Sequence, residues 1–134
     1  MPAVLEHIDK IARDKNRDVI FINFNKEVFP SYDYQEYKAR NDLLQWLDEN
    51  SIPYMECGPI ADENGWESYR GQLYIDLPID EKDEKYQVLC EHLDGPDGTF
   101  KIKGVESWIF PLEVAMKNKH HDEPGFWDKW AENF

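Results

Sequence analysis

The stretch DVIFINFN, Asp18 to Asn25, constrains the fold more than any other part of the chain. It concentrates β-branched and aromatic residues in a run too short for a stable helix. Apolar side chains fall on both of its faces, the pattern of a central strand with packing on either side. Other segments must pair with it, and the helical stripes elsewhere in the chain need such a sheet to bury against.

The flanking sequence supplies those partners. In PAVLEHIDKIARDKN, Val4, Leu5, Ile8, Ile11 and Ala12 recur at helical spacing. Behind the strand, Asp33 and Glu36 form a capping-box pattern, followed by a helix carrying Tyr37, Leu44 and Leu47 and ending near Asn50, before Pro53. IPYMECG reads as a second strand. GQLYIDL alternates, with Leu73, Ile75 and Leu77 on one face and Gln72, Tyr74 and Asp76 on the other. Asp80 is placed to cap a helix whose Tyr86, Leu89, Cys90 and Leu93 form one stripe, and Gly95-Pro96 ends it. TFKIKGVESWIFPL gives one or two strands broken at Gly104. LEVAMKNK suits a short helix. EPGFWDKWAENF suits a last one, capped by Asp122 or Glu123.

The expected class is therefore α+β: a ferredoxin-like β-α-β-β-α-β antiparallel sheet with an extra N-terminal helix and a C-terminal aromatic helix. The 134 residues fit a single domain over 1–134, with a core at 18–112, an N-terminal helix at 2–15 and a C-terminal helix at 123–134.

Charge narrows the partners. The formal net charge is −13, from 28 acidic and 15 basic residues. A field of that sign repels phosphate and anionic lipid heads, so neither nucleic acid nor a membrane is expected. A protein partner or a homodimer is compatible with it. Two cysteines, Cys57 and Cys90, make no disulfide framework and suit a reducing cytoplasm. The first residues lack the apolar core of a signal peptide, and no apolar run approaches membrane-spanning length.

Candidate binding residues fall in three places. Phe126, Trp130 and Phe134, with Trp127 alongside, make an apolar stripe on the last helix, suited to packing on the protein's own sheet or in a partner's groove. The connection from Ala61 to Arg70 carries Trp66, Tyr69 and Arg70, and loops rich in aromatics and charges favour binding. The third place is the sheet itself, at Phe21 and Tyr74. His120, His121 and Asp122 supply metal-ligand types, but adjacent histidines point apart and do not converge on one ion, so no metal or other cofactor is expected.

IFINF, Ile20 to Phe24, and RGQLYIDL, Arg70 to Leu77, lie on the first and third strands. In strand order and placement they resemble the two signature strands of RNA-recognition-motif domains. That resemblance puts Phe21 and Tyr74 where the family stacks bases, while Gln72 stands where it has an aromatic.

No phosphate-binding loop, dinucleotide fingerprint or serine elbow is present. The function this supports is a non-enzymatic protein-interaction or regulatory module. The alternatives are an enzyme or divalent-cation binder using Glu56, Asp62 or Glu63 near the 61–70 loop, and an RNA-recognition-motif-like sheet or nucleic-acid mimic.

Overall fold

The computed structural model describes residues 7–31, 33–61 and 69–132. Its centre is a four-stranded antiparallel sheet made of β1 (Val19–Phe24), β2 (Tyr54–Glu56), β3 (Leu73–Ile75) and β4 (Val105–Phe110), in the order β2-β3-β1-β4. The helices are α1 (Ile8–Lys15), α2 (Lys38–Glu49), α3 (Glu84–Leu93), α4 (Leu112–Met116) and α5 (Phe126–Glu132). The protein is of the α+β class.

β1 sits between β3 and β4, as its two-sided apolar pattern requires. Ile20 and Ile22 pair with Ile75 and Leu73, so these four side chains share one face. That face packs on Leu43 and Leu47 of α2 and on Leu89 and Leu93 of α3. Phe21 pairs with Tyr74 and Trp108, and Val19 with Phe110, on the opposite face. There Val19, Tyr74, Phe21 and Phe110 pack with Ile8, Ile11 and Ala12 of α1, Ala115 of α4, and Cys57. The sheet thus has two apolar layers, one against each helix pair.

Local chemistry sets the element ends. Asn16 closes α1 in the left-handed region at φ 55° and donates its N–H to the carbonyls of Ala12 and Arg13. Asp33 does not cap α2. It accepts from the Gln35 amide at the head of a single 3-10 turn, and α2 starts after it, at Lys38. The cap of α3 is Asp83, which accepts from the Tyr86 amide at 2.9 Å, while Asp80 serves the turn before it by accepting from Lys82. Gly104 enters β4 at φ +83°, where an added Cβ would lie 2.7 Å from both Val28 and Phe29 side chains. Val4 and Leu5 of the first apolar stripe lie outside the described residues.

Candidate functional site

Two places gather unusual chemistry, one on each face of the sheet. The first is a buried polar cluster under α1. Asp9 is fully buried, and its carboxylate accepts from the Ala61 amide at 3.1 Å, the Asn118 side-chain amide at 2.9 Å and Arg13 Nη1 at 3.0 Å. Arg13 also donates to the Ala115 carbonyl at 3.1 Å. Its Nε and Nη2 grip both oxygens of Asp122, each at 2.8 Å. Buried charges survive only when paired and hydrogen-bonded, and here every donor has an acceptor. The Arg13 guanidinium holds the Asp122 carboxyl below its ordinary value of 3.8, against the opposing pull of burial. One carboxylate therefore ties together α1, the chain after β2, and the segment after α4.

This cluster resolves the histidine-rich segment. Asp122 does not cap α5; it is spent on Arg13. His121 is buried, its ring 4.8 Å from Phe126 and 4.7 Å from Trp127. His120 is exposed and meets His121 edge-on at 4.3 Å. Trp127 also approaches His7 at 6.2 Å, and His7 Nδ1 lies 2.8 Å from the Pro59 carbonyl oxygen. Among the described residues, no group of three or more His, Cys, Asp or Glu side chains is placed to hold a metal ion. Trp130 lies in α5 with its side chain outside the description, and Phe134 lies outside the described residues.

The sheet pair Phe21 and Tyr74 sits beneath α1 and α4. Tyr74 is 0% exposed and Phe21 half-buried. The buried phenol hydroxyl of Tyr74 donates to Asp76 at 2.7 Å and accepts from Arg17 at 3.4 Å. Stacking a base on Tyr74 would require α1 to leave. Burying a ring of this size is worth about 2–3 kcal/mol, so that displacement is costly.

Tyr69 and Arg70 lie at the start of β3. Tyr69 donates to the Gln72 carbonyl at 2.7 Å and meets Tyr34 edge-on, and burial is the main reason its hydroxyl is harder to ionise. Arg70 is buried and donates to the Phe29 carbonyl at 3.0 Å. Nearby, the Arg40 guanidinium lies over the Tyr34 ring and reaches Glu56 at 3.3 Å. Asp62, Glu63 and Trp66 lie outside the described residues.

The second place is a cleft of about 250 Å³ between α3 and β4. Ile20, Leu89 and Leu93 are its buried apolar walls, Tyr86 and Cys90 are half-exposed, and Asp94, Ser107, Trp108 and Ile109 complete its edges. Cys90, expected in the core, stands at the rim because α3 overhangs β4 there. Ile109 is 50% and Trp108 51% exposed, and Phe100 supports the Trp108 ring edge-on at 5.2 Å.

β4 is an outer strand of the sheet. The Asn25 N–H donates to the Gly104 carbonyl at 2.9 Å, which makes that facing pair a hydrogen-bonded one. Alternation along the continuous register then turns Glu106, Trp108 and Phe110 toward β1, and the backbone of Ser107 and Ile109 outward. Neither Ser107 nor Ile109 has a backbone partner on that outer side among the described residues. Edge strands of this kind are normally shortened, charged or covered.

The cleft holds no activated nucleophile. Burial pushes the Cys90 thiol up, with Asp94 adding to it, and the Tyr86 hydroxyl is pushed up to about 12, first by burial and then by Cys90, Asp94 and Glu81. Cys57 is raised to about 12 by burial alone. Both thiols are therefore protonated at neutral pH, the opposite of what catalysis by cysteine needs.

Nothing in the sequence reading pointed to Trp108 and Ile109. The signal was available in SWIF, three consecutive apolar residues on the last strand, a strand that the β-α-β-β-α-β order places at an edge. Comparison with protein-family models, with curated proteins and with solved structures gave no match for this chain.

Proposed function

We propose that this chain is a non-enzymatic, cytoplasmic protein-interaction module, folded as one ferredoxin-like domain, that docks a partner segment in the α3–β4 cleft. The observation that carries the reading is the coincidence of an apolar cleft with outward-facing backbone on the adjoining edge strand. Docking by strand addition needs both: backbone hydrogen bonds give affinity and side-chain pockets give selectivity. The strand order β2-β3-β1-β4, with α2 and α3 on one face, supports the ferredoxin-like description. The raised Cys90 thiol speaks against the cleft as a cysteine enzyme, and the covered Tyr74 against base stacking on the sheet.

The test is selection from a displayed library of random peptides. Selected peptides should bind the wild type and fail to bind Ile109→Pro. Proline removes the outward N–H and blocks an added strand, yet it leaves the ladder to β1 intact because that N–H does not donate to β1. Ile109→Thr, which keeps the backbone but trims the apolar edge, should weaken binding in between. Peptides that bind the wild type and both variants equally would overturn the proposal.

A further inference from the structure

The cleft also carries information about what it takes. Its lining contains one charged residue, the exposed Asp94, held toward Ser107 by a 3.3 Å hydrogen bond. The charged groups acting on Tyr86 and Cys90 inside it are Asp94 and Glu81, both carboxylates. On the other side of β4, Glu106 stands next to Trp108 and receives the side-chain amides of Asn23, at 2.9 Å, and Asn25, at 3.4 Å. The nearby cation is turned elsewhere: Lys101 donates to the Glu91 carbonyl at 3.0 Å and acts on His92. Asp94 at its rim and Glu106 across β4 therefore flank the apolar slot with acid. A second copy of the chain fits this poorly, since each copy brings a net charge of −13.

Resting on the docking reading above, we infer that the occupant is a basic extended peptide that adds beside β4, with apolar side chains alternating with lysine or arginine. The alternation follows from the strand itself. The register sets Ser107 and Ile109 on the α3 face and Glu106 and Trp108 on the other, with Trp108 also reaching the outer rim of the cleft. An added strand has the same period of two. Its apolar residues enter the cleft beside Ile109, and its basic residues fall beside the Trp108 ring and Glu106, where a cation meets both an aromatic face and a carboxylate. A basic residue at the peptide's end reaches Asp94. Attraction of opposite charge also speeds the encounter and makes it sensitive to salt.

Three synthetic peptides separate the outcomes: alternating lysine–valine, threonine–valine and glutamate–valine, each titrated calorimetrically into the full chain. The backbone amides of Ser107 and Ile109 are followed by NMR at the same time. The expected result is binding of the lysine peptide at least about tenfold tighter than the threonine peptide, with no binding of the glutamate peptide. Salt and Asp94→Lys should each narrow that gap. Shifts should centre on Ser107 and Ile109. Equal binding of the lysine and threonine peptides at those amides would overturn the basic partner while leaving the docking reading intact. Binding of none of the three, or binding whose shifts miss β4, would overturn both. Sedimentation showing a dimer that Ile109→Pro dissolves would replace the peptide with a second copy of the chain and overturn the inference.

Discussion

The sheet is apolar on both faces, and the layer under α1 and the edge along β4 are finished differently. Under α1 the apolar layer is sealed by a buried carboxylate whose oxygens accept from three donors on three segments. Over β4 the apolar layer runs out at a free edge, with Trp108 and Ile109 half in water. A closed face commits its polar groups to each other, so its value is stability. An open edge leaves backbone groups and apolar surface uncommitted, so its value lies in a contact not yet made. The same kinds of residue thus do opposite work according to whether the hydrogen-bonding capacity around them is used up.

That contrast can be broken most forcefully at Asp9. Asp9→Ala leaves the Ala61 N–H without its acceptor in a dry site, removes the carboxylate from the Arg13 guanidinium, and leaves the Asn118 side-chain amide and Arg13 Nη1 each with a backbone carbonyl alone. Urea unfolding should show a loss of about 3–5 kcal/mol, typical of removing one partner from a buried ion pair. A loss below about 1 kcal/mol would mean that water enters and satisfies the cluster.

Tyr74→Phe should cost less, about 1 kcal/mol, because it deletes one hydroxyl bonded to Asp76 and approached by Arg17 and leaves the packed ring in place. Thermal melting of the two chains side by side measures it.

Acid should act on the same face more weakly, since Asp122 is about a third exposed and water screens its pair. Its folded-state carboxyl lies below the ordinary 3.8. The stabilisation is then complete above that value and is lost as pH falls from there through the depressed one. In Asp122→Asn the stability–pH curve should be flatter over that acid window, and parallel curves for the two chains would contradict the pairing with Arg13.

On the open edge the smallest stability effect is expected. Trp108→Tyr should change unfolding free energy by no more than about 0.5 kcal/mol, because an aromatic ring still meets Phe100 and half of that side chain is already in water. A loss as large as that of Asp9→Ala would place Trp108 in the core and erase the distinction between the open edge and the sealed layer.

The fold was far more legible in the sequence than the sites. β1 announced itself through residues apolar on both faces, and Leu73, Ile75 and Leu77 through strict alternation, because period and burial are local properties. The Asp33 and Asp80 caps lie about one turn from the true helix starts: Asp33 heads a separate 3-10 turn and α2 begins at Lys38 with no side-chain cap, while at α3 the nearby Asp83 takes the cap and Asp80 the turn before it. Asp122 could not be read at all, since its partner Arg13 is 109 positions away and only the packing of α1 on α4 brings them together. Phe21 and Tyr74 were assigned to a surface because the alternation shows that a face exists, and says nothing of what covers it. Trp108 and Ile109 are the reverse case: the sequence places them on a strand, and the edge position of β4 leaves them half exposed.

The central claim is that the β4 edge is open while the layer under α1 is closed, and residue-by-residue amide hydrogen exchange of the free protein tests it directly. The outward amides of Ser107 and Ile109 should exchange orders of magnitude faster than those of Trp108 and Phe110, which the register turns toward β1. Ser107 and Ile109 protected as strongly as Trp108 would mean the edge is already covered, and the account of β4 as the docking edge would fall.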